Sequence, residues 1–227
     1  MPELRCSAPL QIHYLDDALL VLDKPAGLLA VPGRGPDKQD CLSTRAAQHL
    51  PGARIVHRLD MSTSGLMVMA RTIQAQRALS LAFSDRLVHK RYVAVVAGCM
   101  AAPASPDAEG WGVIDLPIAV DWPRRPLRII DSASGKPSLT RWRIESGGNG
   151  LSASIRTTRV LLQPVTGRSH QLRVHLKALG HAIVGDALYA SEMVAAASDR
   201  LLLHASALAF PHPVSGQRMR FRSDVPF

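Results

Sequence analysis

Asp60 lies in a segment rich in groups that could serve chemistry. In Ile55-Val56-His57-Arg58-Leu59-Asp60-Met61-Ser62-Thr63-Ser64-Gly65 it follows a histidine and an arginine, and it precedes a hydroxyl-rich turn and the apolar run Leu66 to Ala70. A reactive carboxylate needs a turn to present it and cations to keep it charged, and this segment supplies both. Taken singly, such an aspartate is more often an ordinary ion-paired or capping residue. Two further segments join it. Lys90-Arg91-Tyr92-Val93-Ala94 reads on its own as the start of a strand with a surface lysine and a packed tyrosine. In Pro164-Val165-Thr166-Gly167-Arg168-Ser169-His170-Gln171-Leu172-Arg173-Val174-His175, helical spacing sets Arg173 one turn from Lys177 and away from the Leu172/Leu176 stripe, a basic helix face.

Other chemistries lack their residues. His170, His175 and His181 are five and six apart, without H-E-x-x-H spacing, so a zinc site is disfavoured. Cys6, Cys41 and Cys99 are odd in number and scattered, which argues against a disulfide framework or a cysteine metal cage. There is no P-loop, no Rossmann glycine fingerprint and no G-x-S-x-G elbow.

Charge points to a polyanion. The chain has 27 Lys and Arg against 18 Asp and Glu, a net +9. Residues 1 to 60 are neutral, with seven of each sign, so the excess lies after Asp60. Between Asp121 and Val160 there are eight basic residues (Arg124, Arg125, Arg128, Lys136, Arg141, Arg143, Arg156, Arg159) against three acidic ones. Nucleic acid is a fitting partner for such a stripe. No apolar run approaches the ~18 to 20 residues of a membrane span. Met1 to Arg5 lacks a signal-peptide core. The expectation is a cytoplasmic protein with no membrane partner.

The elements that must position these groups are partly legible. Leu19 to Asp23 reads as a buried strand ended by the turn Lys24-Pro25-Ala26-Gly27. Asp40 is placed to cap a helix from Cys41 to Leu50, stopped by Pro51-Gly52. Leu66 to Ala70 is a strand. Ile73 to Val88 suits an amphipathic helix with Ala75, Leu79, Phe83 and Leu87 inward. Tyr92 to Ala97 is β-branched strand material, and Ala101 to Glu109 is a loop. Ser138 to Glu145 alternates in period two. Gly147 to Gly150 is a flexible turn. His170 to Leu179 is a helix with Leu172, Leu176 and Leu179 on one stripe and Gly180 as its stop. Leu201 to Phe210 is a last strong strand. This mixture lacks regular β-α-β alternation and points to an α+β fold with a mixed, mostly antiparallel sheet.

The run His-Arg-Leu-Asp-x-x-Thr-Ser-Gly, Lys-x-Tyr-x-Ala and Gly-Arg-x-His-Gln-Leu-Arg-x-His, in that order, resembles the RluA family of pseudouridine synthases. The likeness extends from Tyr14-Leu15-Asp16-Asp17 to the C-terminus. It takes in Leu22 to Leu28, Gly180 to Asp186 and Leu201 to Ala205. It implies that Asp60 is the catalytic carboxylate, that Tyr92 lies against the target base, and that Arg173 pairs with Asp60. It implies RNA contacts by Arg58, His57, Arg168, His170, Arg124 and Arg125, with Arg58 filling the stack a flipped base vacates.

The implied fold is the pseudouridine synthase catalytic fold, a central sheet in two halves flanked by helices and loops. It would occupy residues 10–227 behind a loose tail, residues 1–9, with no S4-type RNA-binding domain. The implied reaction cleaves the N1–C1′ bond of uridine, turns the uracil and rejoins it through C5. It needs no metal, nucleotide or redox cofactor. Whether Asp60 adds to C1′, adds to C6 or takes a ribose proton stays open, as does Tyr92's part in removing the C5 proton. Leu29 to Arg34, Asp115 to Ile118 and Asp121 to Pro126 point to the branch acting on 23S rRNA and tRNA anticodon stem-loops. A monomer with an RNA partner and no DNA partner follows. Gly147 to Arg159 departs from the family pattern as a variable hairpin. A non-catalytic RNA-binding or ribosome-assembly protein and a nucleoside hydrolase are the rival readings.

Overall fold

The computed structural model describes residues 10–145 and 155–227. The expected tail before Leu10 and the turn at Gly147 to Gly150 lie outside the described residues. The strands are β1 (Gln11–Leu15), β2 (Leu19–Lys24), β3 (Arg54–Ile55), β4 (Ser64–Ala70), β5 (His89–Ala97), β6 (Gly112–Asp115), β7 (Ile118–Val120), β8 (Arg128–Ile130), β9 (Leu139–Ile144), β10 (Thr157–Pro164), β11 (Leu203–Pro211) and β12 (Arg218–Arg222). The helices are α1 (Leu42–His49), α2 (Ile73–Ser84), α3 (Gln171–Ala178) and α4 (Glu192–Ala196).

Among the described residues ten strands share one sheet, in the order β1-β2-β4-β11-β5-β10-β9-β6, with β12 also on β11 and β3 on β4. All neighbours are antiparallel except β4 and β11. That parallel junction is short, pairing His204 with Ser64 and Ala205 with Gly65. It is also close. A Cβ on Gly65 would stand 2.4 Å from the Ala205 carbonyl oxygen, and the backbone there has φ +112, so glycine alone fits. The turn that carries Asp60 leads straight into this seam between the two halves.

β2 and β4 read as continuous apolar runs because both faces are covered. Leu19, Val21, Leu66 and Val68 pack with Ala75 and Leu79 of α2. Leu20, Leu22, Met67 and Met69 pack on the other side with Leu42 and Ala46 of α1. The other half has its own core of Ala94, Val96, Val160, Leu162, Leu172 and Leu176. The period-two pattern of β9 buries Thr140 and Trp142. The β7–β8 hairpin stands apart from the sheet and leans on α3 through Ile118, Val174 and Tyr189.

Several local expectations change. The cap of α1 is Cys41, whose Sγ accepts the Thr44 N–H; Asp40 is occupied by Arg45 at 2.7 Å. Helix α2 starts at its Thr72 cap but ends at Ser84, four residues short of Val88. Arg86 turns left-handed there (φ 61), which sends Val88 into the core and leaves Leu87 exposed. Leu179 falls beyond the end of α3 and is partly exposed, at 38%. β1, β3, β6, β7, β8 and β12 are short or amphipathic, and no periodicity argument singled them out.

Candidate active site

A cleft of about 310 Å³ opens where the two halves meet. Its walls come from the His57–Thr63 turn, from Lys90 and Tyr92 of β5, and from the Pro164–Arg173 segment that ends β10 and begins α3. The turn is held from behind. Thr63 N–H donates to the Asp60 carbonyl at 3.1 Å, and the Met61 carbonyl accepts from both Gly27 N–H and Lys24 Nζ at 2.9 Å. Lys24 is fully buried and gives its other protons to the Pro25 and Leu28 carbonyls. Burial pushes its ammonium down to about 7, against the pull of the Asp60 charge.

The opposite wall starts with an unusual helix terminus. His170 precedes α3 in the left-handed region, φ 58, and caps nothing with its side chain. Gln171 organises the approach instead. Its Oε1 accepts from Arg168 N–H and Thr166 Oγ1, and its Nε2 donates to the Leu139 carbonyl and Thr140 Oγ1. This fastens the loop and the helix start to β9.

Arg173 is then aimed at Asp60. Its Nε and Nη2 make a bidentate pair with Asp186, at 2.8 and 2.6 Å, and its Nη1 donates to Asp60 Oδ2 at 3.4 Å. The Arg173 side chain is 5% exposed, Asp186 is fully buried and Asp60 is 28% exposed. The carboxylate facing the cleft therefore meets a guanidinium whose plane is fixed by another carboxylate. The Tyr189 ring lies 5.1 Å from the Arg173 guanidinium, a cation–π contact.

His170 is the second neighbour of Asp60, with Nε2 at 4.0 Å from Oδ1. Its Nδ1 is 2.6 Å from the Tyr189 hydroxyl, which accepts the Arg128 N–H. This contact fixes the imidazole ring so that its Nε2 faces Asp60. Burial pushes the His170 pKa down, with the Asp60 charge opposing, so Arg173 is the lasting cation of the site.

The family model for RNA pseudouridylate synthase matches residues 18–178. The chain belongs to the RNA pseudouridylate synthase family. It is 45% identical over 218 residues to the dual-specificity RNA pseudouridine synthase RluA of Escherichia coli K12, covering 96% of this chain and 94% of that one. The Vibrio vulnificus protein of the same name is 47% identical over 208 residues, covering 90% and 79%. Among solved structures, human RNA Pseudouridylate Synthase Domain Containing 1 superposes with a TM-score of 0.78 at 31% identity, covering 96% of this chain and 84% of that one. The reaction class is thus an isomerisation of uridine to pseudouridine in RNA.

In this pseudouridine synthase the cleft brings together Asp60, Tyr92, Arg173, His57, Arg58, Arg168 and His170. Arg58 is exposed, with Nη2 3.4 Å from Ser169 Oγ, and Arg168 stands exposed on the rim. Arg124 and Arg125 do not line the cleft. They sit at the tip of the β7–β8 hairpin, Arg124 paired with Asp121 at 2.7 Å and Arg125 stacked 3.4 Å over the exposed Trp122.

Three readings from sequence need correction. His57 is no cation for RNA: burial pushes its pKa to about 3, its Nε2 accepts the Val68 N–H, and its ring stacks on Phe83. Arg173 does not belong to a solvated basic helix face, because it is buried with Asp186. Three arginines of the Arg124–Arg159 stripe are already paired, Arg124 with Asp121, Arg141 with Asp107 and Arg159 with Glu145.

Sequence reasoning gave no role to Lys24, Asp186, Tyr189 or Gln171. Helical spacing put Arg173 on a basic face, away from the apolar stripe, and so gave no signal of the buried carboxylate, Asp186, that holds it.

Proposed function

We propose that this enzyme modifies specific uridines in RNA stem-loops, those of 23S rRNA and of tRNA anticodon arms, with Asp60 as its catalytic carboxylate. The observation that carries the reading is the Asp60–Arg173–Asp186 array opening onto a cleft that also holds Tyr92. Its volume lies at the small end of pockets that enclose one small ligand. A single base would enter it only after leaving its stack, which takes a few kcal/mol and least in a loop.

Arg173 orients Asp60 toward the sugar and base, and Arg58 on the rim occupies the place the base has left. The reaction is an internal exchange. The N1–C1′ bond breaks, the uracil turns, C5 bonds to C1′, the proton of C5 is lost, and N1 gains one. Tyr92 serves as the surface on which the base stacks. Burial, and then the Asp60 charge, raises its pKa above the ordinary phenol value; a neutral ring suits stacking and disfavours a phenolate base. The exposed Trp122 and Arg125 on the β7–β8 hairpin extend the RNA contact beyond the cleft. The RNA substrates put its work in the cytoplasm, where the enzyme acts as a monomer.

Asp60→Asn tests the assignment. Pseudouridine formation in a hairpin substrate vanishes while RNA affinity stays within about threefold. Persistent modification in the variant would remove Asp60 from the mechanism.

A further inference from the structure

The sheet carries a second basic surface, on the side away from the cleft. Along β5, Lys90 and Tyr92 line the cleft, so His89 and Arg91 project through the opposite face. The register of β11 aligns them with the edge strand β12. Arg222 lies opposite Ala207, which lies opposite Arg91; Arg220 lies opposite Ala209, which lies opposite His89. Residues opposite one another share a face. Two walls of basic side chains thus flank a floor of alanines, and Arg218 extends one wall.

The walls stand about 10 Å apart, and arginines along β12 recur at roughly 6.8 Å. All five basic side chains are exposed. Among the described residues none of the four arginines has a carboxylate partner. Arg218 and Arg91 are near enough to add to burial in disfavouring the charged form of His89.

We propose that this trough is a second RNA-binding site, which takes the phosphate backbone of a helix in the same structured RNA whose loop enters the cleft. The proposal rests on the cleft being the site of modification and adds a surface that only a large substrate reaches. Arginine suits phosphate because its fork donates two parallel hydrogen bonds. Charges on an edge strand also discourage strand pairing between molecules. That role alone requires neither the facing wall on β5 nor the alanine floor.

The test compares the full chain with R218Q/R220Q/R222Q on two substrates: a short hairpin containing the target uridine, and a long 23S rRNA transcript that embeds it. On the hairpin, kcat and KM stay within twofold. On the transcript KM rises tenfold or more, and the slope of log affinity against log salt becomes shallower by about 2.7, the loss expected when three contacts to duplex phosphates disappear. R218K/R220K/R222K keeps the parental slope.

Equal losses on both substrates, or an unchanged slope, overturn the proposal. Aggregation with unchanged kinetics assigns the arginines to edge protection. Weakened retention on phosphatidylglycerol vesicles with unchanged RNA kinetics assigns them to a lipid surface. A parent that binds the transcript but modifies neither RNA defeats the reading of the cleft and leaves the slope comparison intact.

Discussion

Arg173 in the cleft and Arg220 on the sheet's far face carry the same guanidinium in opposite surroundings. Arg173 is buried, bidentate to Asp186 and aimed at Asp60. Arg220 is exposed, unpaired among the described residues and flanked by others like it. A charge placed for chemistry must be fixed, and burial requires that it be paired. A charge placed for a polyanion must stay hydrated and unpaired so that phosphates can take it up. The two faces of one sheet thus separate fixing a carboxylate from attracting RNA.

The contrast predicts where substitutions hurt. Asp186→Ala has the largest expected effect on folding. It removes the bidentate partner of a buried guanidinium and leaves it only the longer contact to Asp60, and breaking comparable buried pairs costs about 3–5 kcal/mol. Urea unfolding should show this, whereas R218Q/R220Q/R222Q should unfold within about 0.5 kcal/mol of the parent, as exposed sites do. Replacing both partners, Arg173→Met with Asp186→Leu, should recover only part of the stability, because the Leu188 and Tyr189 N–H groups lose their acceptor on Asp186, and none of the activity. An Asp186→Ala protein as stable as the parent would mean that the pair does not govern the site.

A smaller effect separates the faces by pH. His57, held at about 3 by burial, takes up its proton far below the unfolded value of 6.5. Between those limits the unfolded chain binds the extra proton, so stability declines as pH falls through the window from about 6.5 to 3. Burial pushes His170, His175 and His204 in the same direction. Each histidine that stays uncharged in the fold adds up to about 1.4 kcal/mol per pH unit. Urea midpoints at pH 7.5, 6 and 5 should fall steeply for the parent and for R218Q/R220Q/R222Q, and less steeply for His57→Gln. A parental curve flat across this range would contradict the burial of these rings.

The same division explains what the sequence disclosed. The buried strands Leu19–Lys24 and Ser64–Ala70 announced themselves because burial on both faces demands an unbroken apolar run. Asp60, Tyr92 and Arg173 stood out through the segments around them. Lys24 and Asp186 did not. A lysine closing a strand looks solvated until three carbonyls are seen around it, and a loop aspartate 13 residues past its arginine has no periodicity to reveal it. The trough was hidden for a different reason. Arg218, Arg220 and Arg222 alternate plainly enough, but Arg91 and His89 join them only through the β5–β11–β12 register, which no local pattern encodes.

The smallest effect concerns Tyr92, where the two faces meet on one strand: its neighbour Arg91 points to the trough and Tyr92 into the cleft. The hydroxyl makes no hydrogen bond among the described residues, while the ring packs against both core clusters that border the seam. Tyr92→Phe keeps the ring and removes only the hydroxyl. Stability should change by less than about 1 kcal/mol, since no partner is stranded. If stacking is what the ring provides, kcat on the hairpin falls by less than tenfold, while Tyr92→Ala loses a hundredfold or more. The parental rate should also show no rise between pH 8 and 10, because burial and the Asp60 charge keep the phenol protonated there. A Tyr92→Phe enzyme as inactive as Tyr92→Ala would transfer the role from the ring to the hydroxyl and give the C5 proton its acceptor.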